Sequence, residues 1–250
     1  MREINLSRVP NSMGLLPLGG CFPNIFAVDA AHDTRRDWVG AAAGFTFVVL
    51  TVVGLGVGGD HPPSTGPVEI IKSRFLTDPG PFAIQAGSYI QTVAILAFMV
   101  FGAKLAQRLW LGGQRWVAAV AFAGITLTAG ITLIENSLLS VLAFNVAADG
   151  DAGALNALYS LRHILLTYIY FPEALMAFGL ALGTLAAGVF PRWYGWLTAV
   201  VGLAFLSGGA DLARTGFFSV QGDHWFYVLL VSSLWTLLTS GLLLRRAHTT

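Results

Sequence analysis

The sequence predicts an all-α fold, a polytopic membrane bundle of six transmembrane helices, and three features carry that prediction. The 250 residues are 55% hydrophobic and only 11% charged, where a soluble domain carries roughly a quarter charged residues. The charges fall between six long apolar runs: Trp38–Gly58, Phe82–Phe101, Trp116–Ile134, Ile164–Phe190, Trp193–Gly209 and Trp225–Leu244. A stretch of about 20 such residues crosses a bilayer as a helix. The runs are also continuously apolar, which argues against the short alternating strands of a membrane barrel. Without water in the hydrocarbon, a helix is the conformation that satisfies its own backbone groups.

Residues 1–37 mix Pro, Gly, Asn and charges and read as a flexible cytoplasmic leader. Cys21, the single cysteine, lies in LPLGGC, which is similar to a lipoprotein processing site. The apolar stretch before it is too short for an export signal, so it reads as a free thiol. One cysteine also excludes an internal disulfide framework. The first span starts at DWVG, with Trp38 at the interface, and GLGVGGDHPPSTGP ends it because Gly and Pro oppose helix continuation. In the outer loop 59–81, VEIIKSRFLTDPG sets Val68, Ile71 and Phe75 on one face and Glu69, Lys72 and Arg74 elsewhere. That pattern suits a short amphipathic helix lying on the membrane or capping the bundle.

The second span leaves the membrane through Lys104 and Arg108, and LGGQRW turns the chain into the third, which extends to about Val146. AADGDAG forms the next turn, and the fourth helix starts near Leu155 and stops at FPRWYGW. Gly179 and Gly183 form a GxxxG on it, a spacing that lets backbones approach closely; we read it as packing within the bundle. SVQGDHW joins the last two spans, the membrane domain is residues 38–244, and residues 245–250 form a cytoplasmic tail.

Lys and Arg set the orientation. With the N-terminus inside, the inner segments hold Arg2, Arg8, Arg35, Arg36, Lys104, Arg108, Arg115, Arg192, Arg245 and Arg246, leaving Lys72, Arg74, Arg162 and Arg214 outside. Both termini are therefore expected in the cytoplasm, with the chain multi-pass in a bacterial inner (plasma) membrane. The net charge of +1 gives no argument for nucleic-acid binding.

Several ionisable residues need a reason to be in these spans, since a charge at the bilayer centre costs roughly 2.5–3.5 kcal/mol on insertion scales. Counting from the inner helix ends at about 1.5 Å per residue puts Glu173, Asp211 and Glu135 at roughly 22, 24 and 27 Å. All three thus lie in the outer third of a core about 30 Å thick. Arg162, His163 and Arg214 fall near that level. Three helices therefore deliver opposite charges to one depth, where they can neutralise one another. Asp211 and Arg214 are three residues apart and can pair locally. Arg162 and Glu173, three turns apart, share a face without pairing. With Glu135 and Asn136 they can line one cavity, widened where Pro172 kinks the fourth helix. Gln85, Gln91, Tyr159, Tyr168 and Tyr170 can add hydrogen bonds. The plainer alternative is that Arg162, His163, Arg214, His224 and Glu135 are interfacial residues whose heads snorkel to water.

His61, His163 and His224, with Asp60 and Asp223, lie on the outer side, but scattered over three segments they define no metal site. No Walker, dinucleotide or catalytic-triad motif is present, and the sequence specifies no cofactor.

FPRWYGWL, the extended loop after the first span and the Gly-Gln-Arg turn between the second and third together resemble a broad group of bacterial multi-helix membrane proteins of the DUF4386-like type. The resemblance covers residues 38–244, rests mainly on the interfacial Pro-Arg-Trp anchor, and implies a membrane bundle with no particular activity.

Three functions follow from this reading. The first is an outward-facing polar cavity that binds or transports a small or amphipathic ligand, lined by Glu135, Asn136, Arg162, His163, Tyr170, Glu173, Asp211 and Arg214, with residues 60–80 as lid. The second is an intramembrane enzyme acting on a lipid, isoprenoid or quinone-like substrate. A carboxyl stripped of water can hold and donate a proton near neutral pH, and Glu173 or Asp211 would be that acid. The third is a non-catalytic subunit of a membrane complex. The expected partners are accordingly membrane lipid, a small hydrophobic or amphipathic ligand, or other subunits.

Overall fold

A computed structural model describes residues 37–59, 66–209 and 224–248. Among these the chain is all-helical, with no strand. The helices are α1 (Asp37–Gly58), α2 (Val68–Leu76), α3 (Pro81–Leu111), α4 (Arg115–Val141), α5 (Ala152–Tyr168), α6 (Tyr170–Ala187), α7 (Arg192–Gly208) and α8 (His224–His248). Beyond Val141, α4 continues through a π-helical turn, Leu142–Val146, into Ala147–Asp149. The expectations for residues 1–36, including Cys21, and for Asp60, His61, Asp211, Arg214 and Asp223 lie outside the described residues.

The long helices form a ring of sequential neighbours. α1 packs on α3, α3 on α4, α4 on α6, α6 on α7 and α7 on α8, and α8 closes the ring against α1. Short links set part of this order. Gly112 and Gly113 turn the chain between α3 and α4, and Gly188, at φ 64°, caps α6 before Pro191. The left-handed conformation there suits glycine and stops the helix three residues earlier than Pro191 alone would. Asp151 caps α5, its Oδ1 accepting from the Ala154 amide at 2.7 Å.

Five helical stretches are long and apolar enough to cross a bilayer: Asp37–Gly58, Pro81–Leu111, Arg115–Asp149, Ala152–Ala187 and Phe226–Arg245. The sequence predicts six. The difference is α7, whose 17 described residues span about 26 Å, one turn short of a hydrocarbon core of about 30 Å. The surfaces of these helices invert the soluble pattern. Val49, Val52, Leu96, Val100, Leu127, Leu182, Val200, Leu203 and Leu234 all point outward, an apolar girdle of a size that soluble monomers avoid. Trp38, Trp116, Trp193 and Trp196 stand exposed at the end holding the Gly112 and Pro191 turns, where an aromatic belt marks a membrane boundary.

The third and fourth spans, 35 and 36 residues long, reach roughly 50 Å and therefore overrun the hydrocarbon. Their excess builds a second, smaller core at the end of the bundle that carries α2. There Ile71 and Phe75 are buried against Leu139, Leu142, Ala147, Leu155 and Tyr159. The amphipathic segment thus caps the bundle, on the face predicted. Arg74 departs from expectation. It is buried, and its guanidinium donates to the carbonyls of Gly58 and, at 2.9 Å, of Gly59. Those carbonyls are left without intrahelical partners at the end of α1, so Arg74 ties the cap to the first span.

At the opposite end Asp37, fully buried, forms ion pairs with Arg108 and, at 3.7 Å, with Lys104. A carboxylate in the first turn of α1 also faces the positive end of the helix dipole. Lys104 and Arg108, expected only to lead α3 out of the membrane, instead lock α3 to α1. Asp37→Asn is expected to lower stability by about 2 kcal/mol. The loss stays below that of a deeply buried pair because both cations can extend to the interface. Thermal unfolding in detergent measures it, and an unchanged midpoint would show the cluster to be hydrated.

Candidate functional site

A larger apolar cluster includes Ile95, Phe98, Phe101, Ile125, Ala129, Ala174, Leu180, Phe205 and Trp235. The smaller cluster lies beneath α2, and every helix that passes from one to the other carries a group of polar residues between them. On α3 the interval from Ile84 to Ile95 holds Gln85, Ser88, Gln91 and Thr92. On α4 the interval from Ala129 to Leu139 holds Thr132, Glu135, Asn136 and Ser137. On α5 and α6 the interval from Tyr159 to Ala174 holds Arg162, His163, Thr167 and Glu173. A polar layer therefore separates two apolar cores, at the level where the sequence gathers its charges.

Within the layer, Arg162 donates from Nε to Glu135 Oε1 at 2.5 Å, and both residues are almost completely buried, 3% and 2% exposed. They are paired across helices and are not snorkelling to an interface. Arg162 Nη1 is buried with no hydrogen-bond partner among the described residues. One turn above, the ring of Tyr159 packs edge-on against that of His163. His163 Nδ1 lies 3.0 Å from the Tyr159 carbonyl; a carbonyl only accepts, so Nδ1 carries the proton.

Open space lies beside this pair. A cavity of about 170 Å³ lies between α3 and α4, lined by Gln85, Ser88, Tyr89 and Thr92 from one and Leu133, Asn136, Ser137 and Ser140 from the other. Each set follows the spacing i, i+3, i+4, i+7, a single face of a helix. Both helices thus turn a polar stripe toward each other within long apolar spans, towards the end that carries α2. Asn136 Nδ2 donates to Thr92 Oγ1 at 3.2 Å, while Thr92 itself donates to the Ser88 carbonyl at 2.9 Å. That second bond uses the Thr92 proton, which fixes the Asn136 amide with Oδ1 turned away from Thr92. Asn136 Oδ1, Ser88 Oγ and Gln85 Oε1 are buried with no hydrogen-bond partner among the described residues. One turn past Ser140 the helix widens into its π segment, a distortion that often accompanies function.

Of the predicted site residues, the structure joins Glu135 to Arg162 and sets Asn136 on the cavity. His163, next to Arg162 in sequence, is buried against Tyr159. Tyr170 is half-buried against Gly208 at the end of α7. Glu173, also half-buried, has a buried Oε2 without a hydrogen-bond partner among the described residues. Pro172 cannot donate to the Tyr168 carbonyl, and the α5–α6 helix breaks at Ile169 as the sequence anticipates. The Pro172 carbonyl and the Met176 amide lie so close to Gly124 that a Cβ there would meet them at 2.6 and 2.7 Å. The break is therefore filled by α4 and leaves no opening on that side. Ser88, Tyr89, Thr92, Ser137 and Ser140 were not anticipated. Their signal was the repeated polar spacing, which is harder to see than charge because single Ser and Thr residues are ordinary in membrane helices. No group of three or more His, Cys, Asp or Glu among the described residues is placed to hold a metal ion.

An apolar-surfaced helical bundle with a buried ion pair and a polar cleft is the construction of an integral membrane protein. Comparison of the chain with protein-family models, curated proteins and solved structures finds no match.

Proposed function

We propose that the protein is a six-span bacterial inner-membrane protein, with both chain ends in the cytoplasm, that takes a small or amphipathic ligand into the cleft between α3 and α4. The carrying observation is the cleft itself, whose lining includes Gln85, Ser88 and Asn136, each with a buried polar atom that has no hydrogen-bond partner among the described residues. An unsatisfied buried polar group costs about 1–3 kcal/mol, which a ligand supplying the missing hydrogen bonds would recover. The sixth crossing is α7. Its support is a polar seam with α8 suited to lipid surroundings, where Tyr194 Oη and Thr239 Oγ1 are 2.8 Å apart and Trp235 Nε1 donates to Thr198 Oγ1 at 3.1 Å. The likeness of FPRWYGWL to the DUF4386-like proteins is compatible with this arrangement and adds no activity.

Two measurements test the reading. Reporters fused to each end should both face the cytoplasm, whereas five crossings would separate them. Solvent extraction of the purified protein should yield a small hydrophobic molecule by mass spectrometry, depleted at least fivefold from an Asn136→Leu variant that unfolds at the wild-type temperature. Equal recovery from both would remove the cleft from the function.

A second reading, an intramembrane enzyme with Glu173 as its acid, draws support from the unpartnered Oε2 of that residue. Under it, Glu173→Gln would abolish turnover of a lipid or quinone-like substrate without changing what co-purifies.

A further inference from the structure

The cavity between α3 and α4 constrains the chemistry of its occupant, and we infer that it takes the small, uncharged, hydroxyl-bearing head of an amphiphile whose chains remain in the bilayer. This rests on the reading of the cleft as a binding site and names the class of ligand.

Volume comes first. Ligand pockets that enclose a whole organic molecule run to about 300–1,000 Å³, and this one measures about 170 Å³. At roughly 30 Å³ per water, that is room for a head of about six heavy atoms and not for a complete lipid. The mouth fits an apolar remainder. Tyr89, Val93, Leu133 and Ile134 are exposed on the outer surface around it. Beyond its far end the exposed rings of Phe82 and Phe144 meet edge to face with centroids 5.9 Å apart.

Polarity comes second. Much of the lining offers acceptors whose protons are already in use. Ser137 and Ser140 donate to the carbonyls of Leu133 and Asn136, at 2.8 and 3.1 Å, and Thr92 donates to Ser88. Their oxygens therefore keep only lone pairs for a guest. Asn136 Oδ1 and Gln85 Oε1 are acceptors as well. A guest that brings O–H or N–H donors can satisfy these acceptors, and an anionic head would find no cation in the lining.

Charge comes third. The residues lining the cavity include no Asp, Glu, Lys, Arg or His. The nearest acid in sequence, Glu135, is already committed to Arg162. A cationic head would be buried without a counter-ion, which is far more costly than burying a neutral group that forms hydrogen bonds. A neutral head with two or more hydroxyls satisfies all three conditions, and the glycerol head of a monoacylglycerol is the simplest example.

The test uses the full-length protein in nanodiscs with a monooleoylglycerol analogue carrying a photoactivatable diazirine near the head. Labelling is expected to map to peptides covering residues 82–96 and 130–144. Excess 1-monooleoylglycerol should suppress it, while its di-O-methyl ether, which has the same shape without donors, and oleate should each need at least tenfold more. Ser88→Ala, which removes one oxygen and little volume, should weaken suppression about threefold, and Asn136→Leu tenfold or more. Equal suppression by the dimethyl ether or by oleate would overturn the donor requirement while leaving the cleft as a binding site. Labelling spread over all spans, or unaffected by both variants, would overturn the binding site as well.

Discussion

Arg162→Met is expected to destabilise the protein by about 3–5 kcal/mol, because it leaves the Glu135 carboxylate buried without its counter-charge. The reason lies in the position of the pair. Glu135 and Arg162 are each at least 97% buried, taken from 2% and 3% exposure, and the layer that holds them is bounded by apolar clusters on both sides. Neither side chain has a short route to water. The double variant Glu135→Leu/Arg162→Met should recover most of the loss, since well-packed apolar replacements for a buried ion pair are often neutral or stabilising. The recovery distinguishes a costly unpaired charge from a favourable bond, and it carries a functional consequence. If the double variant is as stable as the wild type, the pair is not retained for stability alone, and its place beside the cleft becomes its explanation. Chemical unfolding in mild detergent measures all three variants. A single-variant loss under about 1 kcal/mol would mean that water reaches the pair.

The pair also shows how much of the site could be read in advance. The apolar runs marked the spans closely, because hydrocarbon leaves helices few ways to be hydrophilic and a count of some 20 residues is nearly sufficient. Glu135, Asn136, Arg162 and His163 could be assigned to one level because helical rise is constant, and charge in lipid is rare enough to be noticed. Partner choice was not readable. Arg162 lies 27 residues from Glu135, and whether it meets that acid or Glu173 depends on how α5 is rotated against α4, which no spacing encodes. Asp37 was missed for a related reason. It stands at the border of the first apolar run, and only the docking of α3 against α1 reveals that it neutralises Lys104 and Arg108. Arg74 was placed on the polar face of an amphipathic helix. Its burial follows from the carbonyls left open at the end of α1, a demand created by tertiary structure. The sixth crossing was the weakest of the spans in length, and α7 is the helix that falls short.

The glycines of α1 supply the other large effect. Read along the sequence, GLGVGG is a signal that the first helix stops. In the bundle, Gly54 and Gly58 remain inside α1 and face Gly87 of α3, so the two backbones come close, as small residues permit in membranes. The contact is asymmetric. A Cβ on Gly87 would lie 2.7 Å from the Gly54 carbonyl oxygen and the Gly58 amide nitrogen, backbone atoms that cannot swing aside, whereas a Cβ on Gly58 would find nothing nearer than the Gly87 Cα at 3.9 Å. Gly87→Ala is therefore expected to cost about 3 kcal/mol, the upper end of the range for overpacking. Gly58→Ala should fall within about 0.5 kcal/mol of wild type, since alanine is the better helix former and has room. Gly87 directly precedes Ser88 in sequence, so a displaced α3 would also shift the polar stripe that lines the cleft. Loss of ligand co-purification should accompany the stability loss in Gly87→Ala and be absent in Gly58→Ala. Comparable unfolding midpoints for the two variants would refute the close approach of α1 and α3, and with it the fixed spacing on which the cleft depends.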